Sequence, residues 1–149
     1  MTTATREDVS VALFTLLKTA TEFKTSSRRF QTWDEIAGAD KPALYMVTHK
    51  ETHVKGKLIT PAVRTLDIDV YLFIDTGLDP NSVPDTDLNT LIDAIDPETG
   101  GVLAPAPGSS QQTLGGLVTN VYIDGEVIRV PGDLDGQGVA ILPLKVVYM

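Results

Sequence analysis

The chain has 149 residues, 42% of them apolar and 21% charged, with no cysteine and a net charge of −8. That size suits a single domain over 1–149 with one core, that composition argues against wholesale disorder, and the missing thiols exclude disulfides, thiolate catalysis and Cys-ligated metal centres. The charge is uneven: residues 1–64 hold ten Lys and Arg against seven Asp and Glu, residues 65–149 two against thirteen. A general nucleic-acid binder, which needs clustered cations, is therefore not expected.

The first residues lack the basic-then-apolar order of a signal peptide, and no apolar run approaches the ~20 residues of a membrane helix. Cytosolic synthesis and no membrane are the expectation. Thr5 reads as a helix N-cap, with Glu7 and Asp8 at the positive end of the helix that follows. Val9, Ala12, Leu13, Leu16, Leu17 and Ala20 recur at helical spacing, so an amphipathic helix is expected to end near 23–25. Residues 26–42 show no period and read as an ordered loop, with Phe30, Trp33 and Ile36 tucked beneath the core.

Pro42 precedes a strand over 43–53. A second strand, 64–75, alternates Leu66, Ile68, Val70, Leu72 and Ile74 with Thr65, Asp67, Asp69, Tyr71 and Phe73, the period of a half-buried strand. The connection at 54–62 is long for a hairpin and reads as an extended arm. Turn residues at 75–82 introduce a second helix over 85–95, with Leu88, Leu91, Ile92 and Ile95 on one face, stopped at Asp96-Pro97. Residues 97–116, rich in Pro, Gly and Ser, read as one long loop, a class that is usually functional or mobile.

Strands over 117–123 and 126–130 flank Asp124-Gly125, a strong hairpin signal. After a turn at 131–138, a last strand over 139–148 contains Pro143, which cannot donate to a ladder. That strand is expected at an edge or with a bulge. The class is α+β: a largely antiparallel sheet of about five strands, two helices packed on one face and a long first hairpin.

His49 and His53, four apart on a strand, would share a face some ~13 Å apart, too far for one metal. Asp67 and Asp69 share a face at ~6.6 Å and could form paired carboxylates, or a solvated strand face. Residues 133–138 resemble part of a calcium loop, but its twelfth position is Leu144 rather than Glu. No phosphate-binding loop or nucleophile signature is present. No catalytic site, metal or cofactor is expected. The arm differs: Lys50, His53, Lys55, Lys57 and Arg64 gather on the first hairpin, and Asp67 and Asp69 lie on its second strand. The residues alone allow a solvated loop or a contact element that orders against an acidic neighbour.

The amphipathic first helix, the Lys41-Pro-Ala-Leu-Tyr opening of strand one, the long hairpin into 64–75, the helix at 85–95 and the C-terminal strands together resemble the tail terminator (tail completion) proteins of long-tailed bacteriophages. The resemblance covers nearly the whole chain and rests on element order, size and the Pro-x-Leu-Tyr opening. The loop at 97–116 and the Asp-Gly hairpin depart from the pattern. The resemblance implies a virion protein assembled in the host cytoplasm. It would form a hexameric ring at the head-proximal end of the tail tube, stop tube growth and support head–tail joining. Its partners would be further copies of itself, the tail tube protein and a neck or head-completion connector, with DNA only passing through an acidic lumen. Another neck connector is the nearest alternative. A small enzyme is the class-level one, and it would need groups assembled from Asp67, Asp69, His49 and His53.

Overall fold

A computed structural model describes residues 5–29, 41–56, 62–77, 81–130 and 137–148. Their elements run α1 (Arg6–Leu17), β1 (Thr25–Ser27), β2 (Ala43–Val54), β3 (Val63–Asp75), α2 (Pro84–Ile95), a 3-10 turn (Pro97–Thr99), β4 (Asn120–Ile123), β5 (Ile128–Val130) and β6 (Gln137–Tyr148). One sheet has the order β1-β2-β3-β6-β4, with β5 also on β6, and only the β1–β2 pair is parallel. The fold is α+β.

Alternation on β3 decides the layering. Leu66, Ile68, Val70, Leu72 and Ile74 are buried in one core. They are matched on β6 by Ala140, Leu142, Leu144, Val146 and Tyr148, and on β2 by Leu44 and Met46. Val9, Leu13 and Leu17 of α1 and Leu88, Leu91 and Ile95 of α2 join the same cluster, so both helices cover this inner face. Each such side chain removed from water contributes about 1.5–3 kcal/mol before chain entropy is charged against it.

Helix α1 starts as expected: the Asp8 N–H donates to Thr5 Oγ1 at 3.1 Å. It stops at Leu17, before 23–25. Tight turns follow, with Thr19 N–H to Leu16 O and Ala20 N–H to Leu17 O, and they let Ala20 and Phe23 reach the core without further helix. The stretch read as a loop contributes β1, whose three residues pair with Ala43–Tyr45. Three residues are too few for a period to be visible. Phe30, Trp33 and Ile36 lie outside the described residues.

The long loop after α2 is packed. The Gly101, Val102 and Leu103 N–H groups donate to Asp96, Ala94 and Ile95 carbonyls at 2.8, 2.8 and 3.2 Å, so the chain folds back over the end of α2. A Cβ on Gly101 would stand 2.4 Å from the Ile95 backbone carbon, which is why glycine is needed there. Leu103 and Val118 are buried, and Gln112 Nε2 donates to Ala104 O at 3.1 Å.

The expected Asp124-Gly125 hairpin is absent. β4 and β5 do not pair with each other; both pair antiparallel with β6, along the same edge and on either side of Pro143. Asp124 N–H donates to Pro143 O at 3.0 Å, so the carbonyl of Pro143, and with it the side of the residue that lacks an N–H, faces this edge. The missing donor leaves the edge interrupted at 124–127. β6 itself is flanked on both sides, so the irregularity expected of the proline strand appears in its neighbour.

Candidate functional site

The opposite, outer face of the sheet carries no described helix, and its register sets out side chains in bands. At one end Ala43, Tyr45 and Phe73 form a second buried cluster, only 0–3% exposed, with Tyr71 and Val139 packed against it, Ile141 beside Tyr71, and Tyr45 and Phe73 edge to face at 5.7 Å. Ile128 and Val130 extend this band to the edge. Next come Val47, Asp69 and Pro143, and then a charged band. There Lys50 Nζ is 3.7 Å from Asp67, Lys145 Nζ is 3.9 Å from the same carboxylate, and Lys145 also reaches Asp124 at 3.3 Å. Thr52, Thr65, Val147 and Asn120 follow, and Val54 with Val63 close the far end.

A register shift between Thr48 and Lys50 decides which arm residues reach this face. On a regular strand, odd-numbered residues of β2 would continue outward with Tyr45 and Val47. The extra residue reverses the parity, so Lys50, Thr52 and Val54 point outward and Glu51 and His53 inward, opposite Leu66 and Arg64. The expected common face for His49 and His53 is thereby lost.

Glu51 becomes the centre of a polar knot at the inner corner. The Arg6 guanidinium donates to both its oxygens at 2.8–3.1 Å, Tyr148 Oη donates to Oε1 at 2.7 Å, and His53 Nε2 lies 2.6 Å from Oε2. The Arg64 guanidinium sits 4.1 Å over the Tyr148 ring. Hydrogen bonds from Arg6, His53 and Tyr148 hold the Glu51 carboxyl down at about 2, against an ordinary 4.5. Burial, then the bond to Glu51, raises the Tyr148 hydroxyl. The knot ties α1, β2, β3 and β6 together, which makes it a device for holding the hairpin.

The seven residues singled out on the arm therefore do not make one surface. Lys50 and Asp67 pair with each other on the outer face, with Asp69 nearby. His53 and Arg64 are taken up in the inner knot. Lys55 is exposed beyond the last strand pair, with no ion partner among the described residues. Lys57 lies outside them. Nor do the groups an enzyme would need converge, since His53 and the two aspartates stand on opposite faces. Asp67 is not half of a carboxylate pair but sits between two lysines. β6 lies beside β3 from Asp75 to Arg64, and the Val54–Val63 pair extends the hairpin beyond it; most of the connection read as an arm, 57–61, lies outside the described residues.

No protein-family model matches this chain, and no curated protein sequence matches it significantly. Among the described residues no group of three or more His, Asp or Glu side chains could hold a metal ion, and no helix is long and apolar enough to cross a membrane. A cleft of about 340 Å³ between α1 and the sheet is lined by Arg6, Glu7, Ser10, Arg28, Thr48 and Leu66. Its arginines are already engaged, Arg6 with Glu51 and Arg28 with Glu7.

Sequence reading missed Glu51, Lys145 and the β5 edge. Glu51 stood out only as an acid inside a basic stretch. The role of Lys145 follows from its register opposite Asp67, which no local pattern shows.

Proposed function

We propose that this chain is a structural subunit of a bacteriophage tail. It is a tail terminator that forms a ring at the head-proximal end of the tail tube, stops tube polymerisation and presents the surface for head–tail joining. The observation that carries this reading is the banded outer face. One side of a rigid sheet is given to the helices; the other sets a buried cluster around Tyr45 and Phe73 beside charged and hydroxyl-bearing zones, with exposed apolar residues at Val54, Val63, Ile128 and Val130. A ring subunit has this need, since it meets neighbours around the ring and two different partners along the axis. The order of helix, long hairpin, helix and C-terminal strands agrees with the family resemblance.

On this reading the copies form a homo-oligomeric ring, six in the family plan. One axial side meets the tube protein and the other a neck or head-completion connector. The protein acts in the virion after assembly in the host cytoplasm, and its work is mechanical. The acidic second half of the chain, including Asp87 and Asp93 on the exposed side of α2, suits a lumen through which DNA passes without binding.

Electron microscopy of the purified protein, followed by addition of tail-tube subunits and measurement of tube lengths, tests the reading. Rings and a capped, narrow length distribution are expected. Rings with unlimited tube growth would make it a neck connector instead. A protein that forms no ring and leaves the tubes unaffected would end the proposal.

A further inference from the structure

Two exposed apolar spots stand at opposite corners of the outer face. Val54 and Val63, the last described cross-strand pair of the hairpin, are 62% and 38% exposed, and Ile128 and Val130 on β5 are 51% and 54% exposed. Valine and isoleucine this open on a pleated face leave apolar area in water that a partner can remove. The β5 edge is unguarded as well. Among the described residues it pairs with β6 alone, and it lacks the register shift and the Lys50 charge that blunt the free edge of β2, leaving a strand edge open to another chain.

Each spot has an unpaired charge beside it, and the signs are opposite. Lys55 follows Val54, and Glu126 precedes the β5 strand; both are exposed, and neither has an ion partner among the described residues. Among the described residues the other charges near β5 are already engaged, Asp124 with Lys145 and Arg129 with Asp85. Within one copy the two corners cannot meet. They are separated by about nine residues of β6, roughly 30 Å, and by three strand spacings, roughly 14 Å. Between copies they can.

We infer that the Val54–Val63 end of one copy's hairpin docks on the β5 edge of the next, with Val54 and Val63 covering Ile128 and Val130 and Lys55 facing Glu126. The surfaces in contact differ, so the contact repeats head to tail and closes only as a ring. This inference rests on the ring reading above and gives it a specific seam.

The chain has no cysteine, so introduced thiols report the contact without background. A Lys55→Cys protein mixed with a Glu126→Cys protein and treated with a short bis-maleimide should yield a cross-linked pair, while each alone yields none. The double variant should give a ladder of several copies. Ile128→Asp should abolish the ladder while the protein keeps its thermal transition. Lys55→Glu and Glu126→Lys should each weaken association several-fold, and the combination should restore most of the loss.

Homodimers in either single-cysteine protein would overturn the hairpin-to-edge contact, and so would an oligomer by mass that never cross-links; both leave the ring standing. A ladder that stops at two copies would overturn the head-to-tail order. A protein that stays monomeric at every concentration would overturn the contact and the ring together.

Discussion

The two faces of the sheet share their backbone and divide the labour. On β6, Ala140, Leu142, Leu144, Val146 and Tyr148 are buried beneath the helices, while Val139, Ile141, Pro143, Lys145 and Val147 alternate with them on a face that no described helix covers. Thr48 apart, the inner face is apolar until the Glu51 knot; the outer face changes character along the strands, from the buried Tyr45–Phe73 cluster to the charged band. Uniformity suits a core, where any apolar side chain of the right volume helps. Banding suits recognition, where position and sign matter. Alternation thus holds the fold with the inner half of β3 and β6, while on the outer half only the stretches beyond the buried Tyr45–Phe73 cluster are left for partners.

The sharpest way to break this comparison is to cut the same strand on its two faces. Leu142→Ala is expected to cost about 2–5 kcal/mol in denaturant unfolding. Ile141→Ala, one residue away, should cost less than about 1.5 kcal/mol, because that side chain keeps contact with solvent. Equal losses would mean that the buried cluster around Tyr45 and Phe73 extends over Ile141. Gly101→Ala should destabilise by roughly 1–3 kcal/mol, because its methyl group would collide with the α2 backbone that the loop returns to cap. A neutral result in a thermal melt would free the 97–116 loop from a structural role.

The polar knot sharpens the boundary between the faces. The Glu51 carboxyl is held at about 2 in the folded chain against an ordinary 4.5. Between those values the unfolded chain binds more protons, so this contribution is complete above about 4.5 and is lost as pH falls toward 2. Glu51→Gln should flatten that part of the stability–pH curve and lower stability near neutral pH by on the order of 1 kcal/mol. An unchanged acid limb would assign it to other carboxylates. Smallest of all, Lys55→Glu with Lys57→Glu should leave unfolding within about 0.5 kcal/mol of the parent while weakening association. Unaltered assembly would remove the arm from the account.

Both helices, the β3 alternation and the helix-covered core were legible in the sequence, because period and capping are local signals. Thr5, Leu88 and Ile95 sit where their spacing placed them. What stayed hidden depends on partners distant in the chain. The register shift near His49 has no signature of its own, yet it alone moves Glu51 and His53 inward and Lys50 outward. Asp124-Gly125 carries the right residues for a hairpin, but Pro143 on the neighbouring strand turns the site into an interruption of one edge. The basic arm looked like a single cluster because sequence adjacency ignores which face each residue meets.

Sedimentation velocity of the wild-type and Ile128→Asp proteins over a wide concentration range measures the ring and its seam together. One closed species, several times the chain mass, is expected for the wild type and a folded monomer for the variant. A wild-type protein that stays monomeric throughout would contradict the ring, and a variant that assembles as the parent does would contradict the β5 contact.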